Sequence, residues 1–399
     1  MMPFSIKLDQ IIVFFLYLLA VSPIFYSFEA IQTLLMIVTS FLLLINTISK
    51  RVQFKIEYIP FLVCFIILLL LNLFYTNVKS LKNIADSFFI FIVPLLSLNL
   101  YGSPFFLSHK DKIIKTFILS CFSLSVFFIG FYLVDIPNHN FDWYLLRFRL
   151  EHFFTIHGTY ISLWLGLSLI LLFDYIVKNK IKFVYIFFFI VIGMCLFLYN
   201  SRVVIFGIII ISFLRLLSIK DKKKIIGSVI ILIAFSSFVL LFSGRIYDNF
   251  NDLLNESIYT SERYTIAYCS CETASKSLLL GYDLNKIQVL LNGCYDRYYY
   301  PNLTELNFNS HCQYLDFTLK GGLLLSLSFV ATLFIKLKKA IKTKNILYLS
   351  ITLLFSLAFL TENVLLRQYG IFAYAFFEIL FLGSLFRDEG HSTNKIKEY

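Results

Sequence analysis

Glu57 to Tyr75, EYIPFLVCFIILLLLNLFY, carries its only charge at the first position and then runs apolar or aromatic with Asn72 as its main polar interruption. A hydrocarbon core about 30 Å thick needs about 20 mostly apolar helical residues to cross it, so the stretch reads as a transmembrane helix. The pattern recurs at roughly 9–28, 30–48, 83–100, 113–135, 157–177, 182–199, 201–217, 225–243, 313–335, 345–362 and 368–386, making twelve spans in all. Composition points the same way: 59% of the 399 residues are hydrophobic and 15% are charged, against roughly 25% charged in soluble domains. Mean hydropathy is +0.80. The fold class expected is all-α, a polytopic membrane protein forming one membrane domain over 1–399. The first span is expected to be retained, since Lys7 is its only leading charge and no small-residue cleavage site precedes Glu29.

Lysine and arginine are held back on the cytoplasmic side of short loops, and their distribution sets orientation. With the N-terminus inside, 23 of the 35 fall in cytoplasmic segments, including Lys336, Lys338 and Lys339 after span ten. Both termini are then cytoplasmic, and the net charge of +11 reflects loops facing anionic lipid. The basic runs KDKKK and KLKKAIKTK sit in short turns beside spans, so no nucleic-acid partner is implied.

Two outward segments are long. Pro137 to Ile156 joins spans five and six, and Ser243 to Cys312 joins spans nine and ten. The second, residues 243–312, is expected to form a helical periplasmic subdomain. TSERYTIAYCSCETASKSLLLGYD places apolar residues at helical spacing after a cap at Thr260 or Ser261, and Gly281 ends that helix. Cys269, Cys271, Cys294 and Cys312 all lie in this loop, where an oxidising compartment allows pairing. Cys269 with Cys271 is improbable on one helix, which leaves either of them with Cys294 or Cys312. A metal site is the poorer reading, because neither a C-x-x-C spacing nor a second nearby histidine accompanies them.

Ionisable groups near spans are costly unless they snorkel or pair, so they mark candidate sites. Arg202 opens span eight after Asn200 and Ser201, in a turn so short that spans seven and eight are expected to be neighbours. Arg263 stands early on the loop helix, and His311 with Gln313 opens span ten. Arg147, Arg149, His152, His157 and Tyr160 surround the start of span six, and Glu362 and Arg367, which could pair with each other, flank the start of span twelve. Singly, each has an ordinary explanation as a snorkelling arginine, a surface ion pair or a loop histidine. Together, several arginines and a histidine at one face suit a lipid-diphosphate substrate: arginine forms bidentate bonds to phosphate, and histidine titrates where a base for a sugar hydroxyl is wanted. No P-loop or GxGxxG occurs.

HGTYISLWLGLSLILLF, NSRVVIFGIIIISF, SERYTIAYCSCETASKSLLLGYD, HCQYLDFTLKGGLLL and TENVLLRQYGIFAYAFF occur in this order over about residues 150–386. The chain thereby resembles the O-antigen ligase and O-antigen polymerase superfamily of membrane glycosyltransferases. That resemblance implies an inner-membrane enzyme whose donor is an undecaprenyl-diphosphate-linked glycan and whose acceptor is lipid A core or another glycan. Transfer would occur at the periplasmic face with no metal and no cofactor. It also implies roles: Arg202 and Arg263 grip the diphosphate, and His311 acts on the acceptor hydroxyl, with Arg147, Arg149, His157, Tyr160, Gln313, Glu362 and Arg367 around the substrates. Cys312 departs from the asparagine that often follows the histidine, and Lys320 from an acidic or polar residue. The ligase pattern leads; a repeat-unit polymerase of the same superfamily is the alternative, and a transporter or flippase comes after it.

Overall fold

The structure is a computed structural model that describes residues 4–25, 29–50, 55–74, 78–135, 148–152, 157–178, 183–199, 201–217 and 262–386. Eleven of the twelve expected spans coincide with helices, and the ninth, 225–243, lies outside the described residues. They are α1 (Phe4–Val21), α2 (Glu29–Lys50), α3 (Ile59–Phe74), α4 (Val78–Leu96), α5 (Pro104–Asp135), α6 (Gly158–Lys178), α7 (Phe183–Tyr199) and α8 (Arg202–Leu217). After the loop helices α9 (Glu262–Lys276), α10 (Leu284–Arg297) and α11 (Pro301–Glu305) come α12 (Gln313–Lys342), α13 (Ile346–Thr361), α14 (Gln368–Phe381) and the short α15 (Gly383–Phe386). Eight helical segments among the described residues are long and apolar enough to cross a membrane, so the protein is a polytopic, all-helical membrane protein.

Two helices form the centre of the bundle. The spans containing α6 and α14 are each 94% buried over their most apolar window, as expected of helices that are apolar on every face. α14 packs against α2, α4, α6 and α13, and α6 against α5, α7, α8, α13 and α14. Lipid tails are as apolar as leucine, so close backbone approach drives such packing. A Cβ at Gly166 of α6 would lie 2.4 Å from Val204 of α8. Trp164 donates its indole N–H to the Tyr369 carbonyl at 3.3 Å, joining α6 to the start of α14.

Some expectations are revised. α7 packs mainly on α5 and α6, and α8 on α6 and α13, so the short connection before Arg202 sends the two helices to different sides of α6 instead of pairing them. α5 begins nine residues early because Pro104 suits a first helical turn and the Ser103 hydroxyl accepts from Phe106 N–H at 3.4 Å. Lys336, expected in a cytoplasmic loop, is fully buried on α12, where its ammonium donates to Tyr374 at 2.6 Å and to Glu378 at 2.9 Å. The second Glu378 oxygen accepts from Tyr348 at 2.7 Å. Hydropathy placed Lys336 outside because it heads a basic run; the acid that receives it is 42 residues away on α14.

The loop helices have a small core of their own, with Ile266, Ala274, Ile287, Leu291, Tyr295 and Leu303 packed around a disulfide between Cys269 and Cys294. This is one of the pairings left open by the sequence, and it ties α9 to α10. α9 ends at Lys276, five residues before the expected stop at Gly281; Gly281, with φ 73°, instead closes the turn that follows, its N–H donating to the Ser277 carbonyl at 2.9 Å.

The Lys336–Glu378 pair yields a stability test. Lys336→Met leaves Glu378 buried without its counter-charge, and the expected loss is about 3–5 kcal/mol. Lys336→Met combined with Glu378→Gln should recover most of it. Thermal unfolding in detergent, followed for both variants, checks the difference.

Candidate functional site

The chain enters α12 through Phe308–Cys312, and His311 takes an unusual backbone conformation there, with φ 44°. A side chain with a Cβ pays about 1–3 kcal/mol for that region, and the surroundings hold it in place. Asn309 accepts from the His311 N–H through its side-chain oxygen at 3.0 Å, and the Ser310 hydroxyl donates to the Cys312 carbonyl at 3.2 Å. Ser310 and Asn363, both buried, hydrogen-bond through their side chains at 3.1 Å. The Phe308 ring lies 5.3 Å from the imidazole, centre to centre.

This posture directs the imidazole at Glu362, whose Oε2 is 3.3 Å from His311 Nδ1. The separation suits an ion pair, but Nδ1 lacks a well-aligned hydrogen bond. Such contacts often tighten only when substrate arrives. Glu362 stands in the connection between α13 and α14, just past the last turn of α13. Burial pushes its carboxyl up, but the His311 contact and the charges of His311, His157 and Arg263 outweigh that and hold it below the usual carboxylate range. One carboxylate is therefore in contact with His311 and in the field of two more of the expected residues. Tyr160, buried at the top of α6, lies in the field of both Glu362 and Arg367.

Gln313 was expected to face substrate, but its side chain is fully buried. Its carbonyl accepts from the Leu365 N–H at 2.8 Å, and its amide donates to Asp316 at 3.3 Å. It therefore holds the 362–367 connection beneath His311. Glu362 faces His311 and not Arg367, which is exposed at the entry to α14. Gly370 makes that tight connection possible: a Cβ there would sit 2.0 Å from the Val364 carbonyl oxygen. On the same side of the bundle, Asp86 of α4 accepts from Gln368 at 2.7 Å, and Lys320 pairs with Asp316 at 2.7 Å.

The remaining candidates are less central. Arg202 is the first residue of α8 and is partly buried. Val204, two residues on, packs against Gly166, near the middle of α6. Arg149 and His152, with Phe131 and Phe148, line an open cleft of about 400 Å³ that, among the described residues, shares none with the His311 cluster. Glu151 links this segment to α6 by accepting from the Gly158 N–H at 2.9 Å. Arg147 lies outside the described residues.

Asn309, Ser310 and Asn363 escaped the sequence reading. The signal for the first two is the NSH triplet, since Asn and Ser before an apolar run supply turn and cap hydrogen bonds. Chemically, the cluster offers a histidine backed by a carboxylate, with an exposed guanidinium nearby. Among the described residues no group of three or more His, Cys, Asp or Glu side chains could hold a metal ion.

No curated protein matches the chain. Residues 186–330, about a third of the chain and the stretch that holds Arg202, Arg263 and His311, match the family model described as O-antigen ligase, and over that stretch the chain is similar to the O-antigen ligase and O-antigen polymerase superfamily.

Proposed function

We propose that the protein is an O-antigen ligase-type glycosyltransferase, moving a glycan from undecaprenyl diphosphate to lipid A core or another glycan. The observation that carries this is the contact of His311 with Glu362 at 3.3 Å, on a carboxylate that also feels the charges of His157 and Arg263. The family match supports the reaction class. The cluster is read as periplasmic and the protein as residing in the bacterial inner membrane with both termini cytoplasmic. Two features support that orientation: the Cys269–Cys294 disulfide lies on the cluster side, while Lys50, Lys110, Arg215 and Lys339 crowd the other. Residues 243–312 serve as the periplasmic subdomain of a single membrane domain.

In this mechanism His311 Nδ1 faces Glu362, which leaves Nε2 to take the acceptor's hydroxyl proton. The acceptor oxygen forms a new bond to the anomeric carbon. The carbon–oxygen bond to phosphate breaks, and its electron pair leaves with undecaprenyl diphosphate. Arg202 and Arg263 neutralise the charge gathering on that diphosphate, with Arg147, Arg149 and Arg367 assigned as further anion contacts. Glu362 stabilises the imidazolium as it forms and orients the ring. Tyr160 and His157 line the approach. The leaving group is already good, so the enzyme's task is positioning and charge neutralisation, with no covalent intermediate.

The test is purified protein supplied with an undecaprenyl-diphosphate glycan and candidate acceptors, with products separated by size. One-step transfer to lipid A core supports the ligase; a ladder growing on the donor lipid identifies a polymerase, and no transfer overturns the proposal. His311→Ala should lower transfer about 100- to 10,000-fold, the range for loss of a general base. Glu362→Gln, which keeps the shape and removes the charge, should cost about 10- to 100-fold.

The strained backbone gives a second test in the same system. Asparagine tolerates the left-handed region better than histidine. His311→Asn should abolish transfer while leaving the thermal unfolding temperature unchanged or higher. A variant that loses both activity and stability would assign His311 a structural role instead.

A further inference from the structure

α12 breaks at Gly321 and Gly322, which have non-helical backbone angles, and Gly322 has φ 63°. A break inside an apolar span frees backbone groups that lipid cannot satisfy. Here the turn after α9 satisfies them: Leu323 N–H donates to the Leu278 carbonyl and Tyr282 N–H donates to the Leu319 carbonyl, both at 2.7 Å. The two chains touch so closely that a Cβ at Gly322 would lie 2.0 Å from the Leu279 carbonyl oxygen. A Cβ at Gly281 would lie 2.6 Å from the Lys320 carbonyl carbon.

The loop's turn is therefore stitched to a point eight residues below the start of α12. The side chains it presents there are Leu278, Leu279 and Leu280, which are 45%, 72% and 81% exposed. Leucines this bare on a loop tip need a cover. Immediately beyond the stitch, α12 exposes Leu324, Leu327, Val330 and Phe334, spaced as one helical face of a membrane span. The turn meets the backbone of α12 directly beside the start of that exposed apolar face. Its shoulders are polar, with Lys276 paired to Glu272 on one side and Asp283 capping α10 on the other. An apolar tip with charged shoulders is the pattern of an interfacial insertion.

We propose that Leu278–Leu280 is a membrane anchor: the turn inserts among the acyl chains of the leaflet on the His311 side and makes the 262–312 segment a partly embedded element. The anchor sets the height of α9, and hence of Arg263, relative to the headgroup plane. This inference rests on the membrane fold alone and stands whatever the protein transfers.

The experiment uses the full-length protein in vesicles of phosphatidylcholine, with and without lipids brominated on the acyl chain. Leu279→Trp and Leu280→Trp report from the turn, Leu324→Trp from the lipid-facing side of α12, and Tyr299→Trp from the far, 90% exposed end of α10. Fluorescence is read as the difference from the parent protein, whose two native tryptophans are common to all samples. The turn variants should lose emission to bromolipid as strongly as Leu324→Trp, while Tyr299→Trp keeps its emission. Turn variants that behave like Tyr299→Trp overturn the proposal. Blue-shifted emission that bromolipid leaves unquenched also overturns it, because the leucines would then be covered by protein. A non-reducing gel for the Cys269–Cys294 bond confirms that each variant has folded.

Discussion

Inside a bilayer every backbone N–H and carbonyl must find a partner within the protein, and the break in α12 is where this constraint bears hardest. A continuous helix would have satisfied itself. By interrupting the helix at Gly321–Gly322, the chain creates a demand that only another segment can meet, and the turn after α9 meets it. Those two hydrogen bonds, with Leu319 packed into the core of the loop helices, fix these helices to the bundle. The disulfide then carries the positioning from α9 to α10, and the loop from α11 returns the chain to His311.

The cluster at the other end of this chain of dependence is held by ordinary polar contacts, each of them short-range. Asn309 and Ser310 set the backbone of His311, Asn363 braces Ser310, and Gln313 fixes the segment that carries Glu362. The result is a histidine in an uncomfortable backbone state, facing a carboxylate that three cationic or titratable neighbours keep ionised. Strain and charge meet at one residue pair; Ser310, Gln313 and Asn363, which brace it, are buried, while His157 and Arg263 are exposed.

Much of the bundle was legible in the sequence because membrane crossing is a local property: hydropathy over about 20 residues decides it, and eleven spans coincide with helices. Gly281 as a left-handed turn residue was legible for the same reason, although α9 itself ends five residues before it, at Lys276. The partner of Lys336 was not legible, because nothing local to KLKKAIKTK distinguishes a buried lysine from a loop lysine. The adjacency of His311 and Glu362 was hidden too: the residues are 51 apart and Arg367 was the nearer candidate in sequence. The inward turn of Gln313 depends on the Leu365 N–H, which no pattern within α12 reveals. Spacing found which residues gather at the site, and tertiary packing decided which of them touch.

The pairing of Lys336 with Glu378 also bears on how the protein is made. The two residues leave the ribosome 42 positions apart, an interval of about 2–8 s at ordinary synthesis rates. During that interval α12 carries an ammonium without its carboxylate, at a point where it will end fully buried. Its helix must wait near the interface or borrow water until α14 arrives. The last long helix of the bundle therefore acts as the closing step of assembly, and α12 reaches its final depth only when that helix is in place.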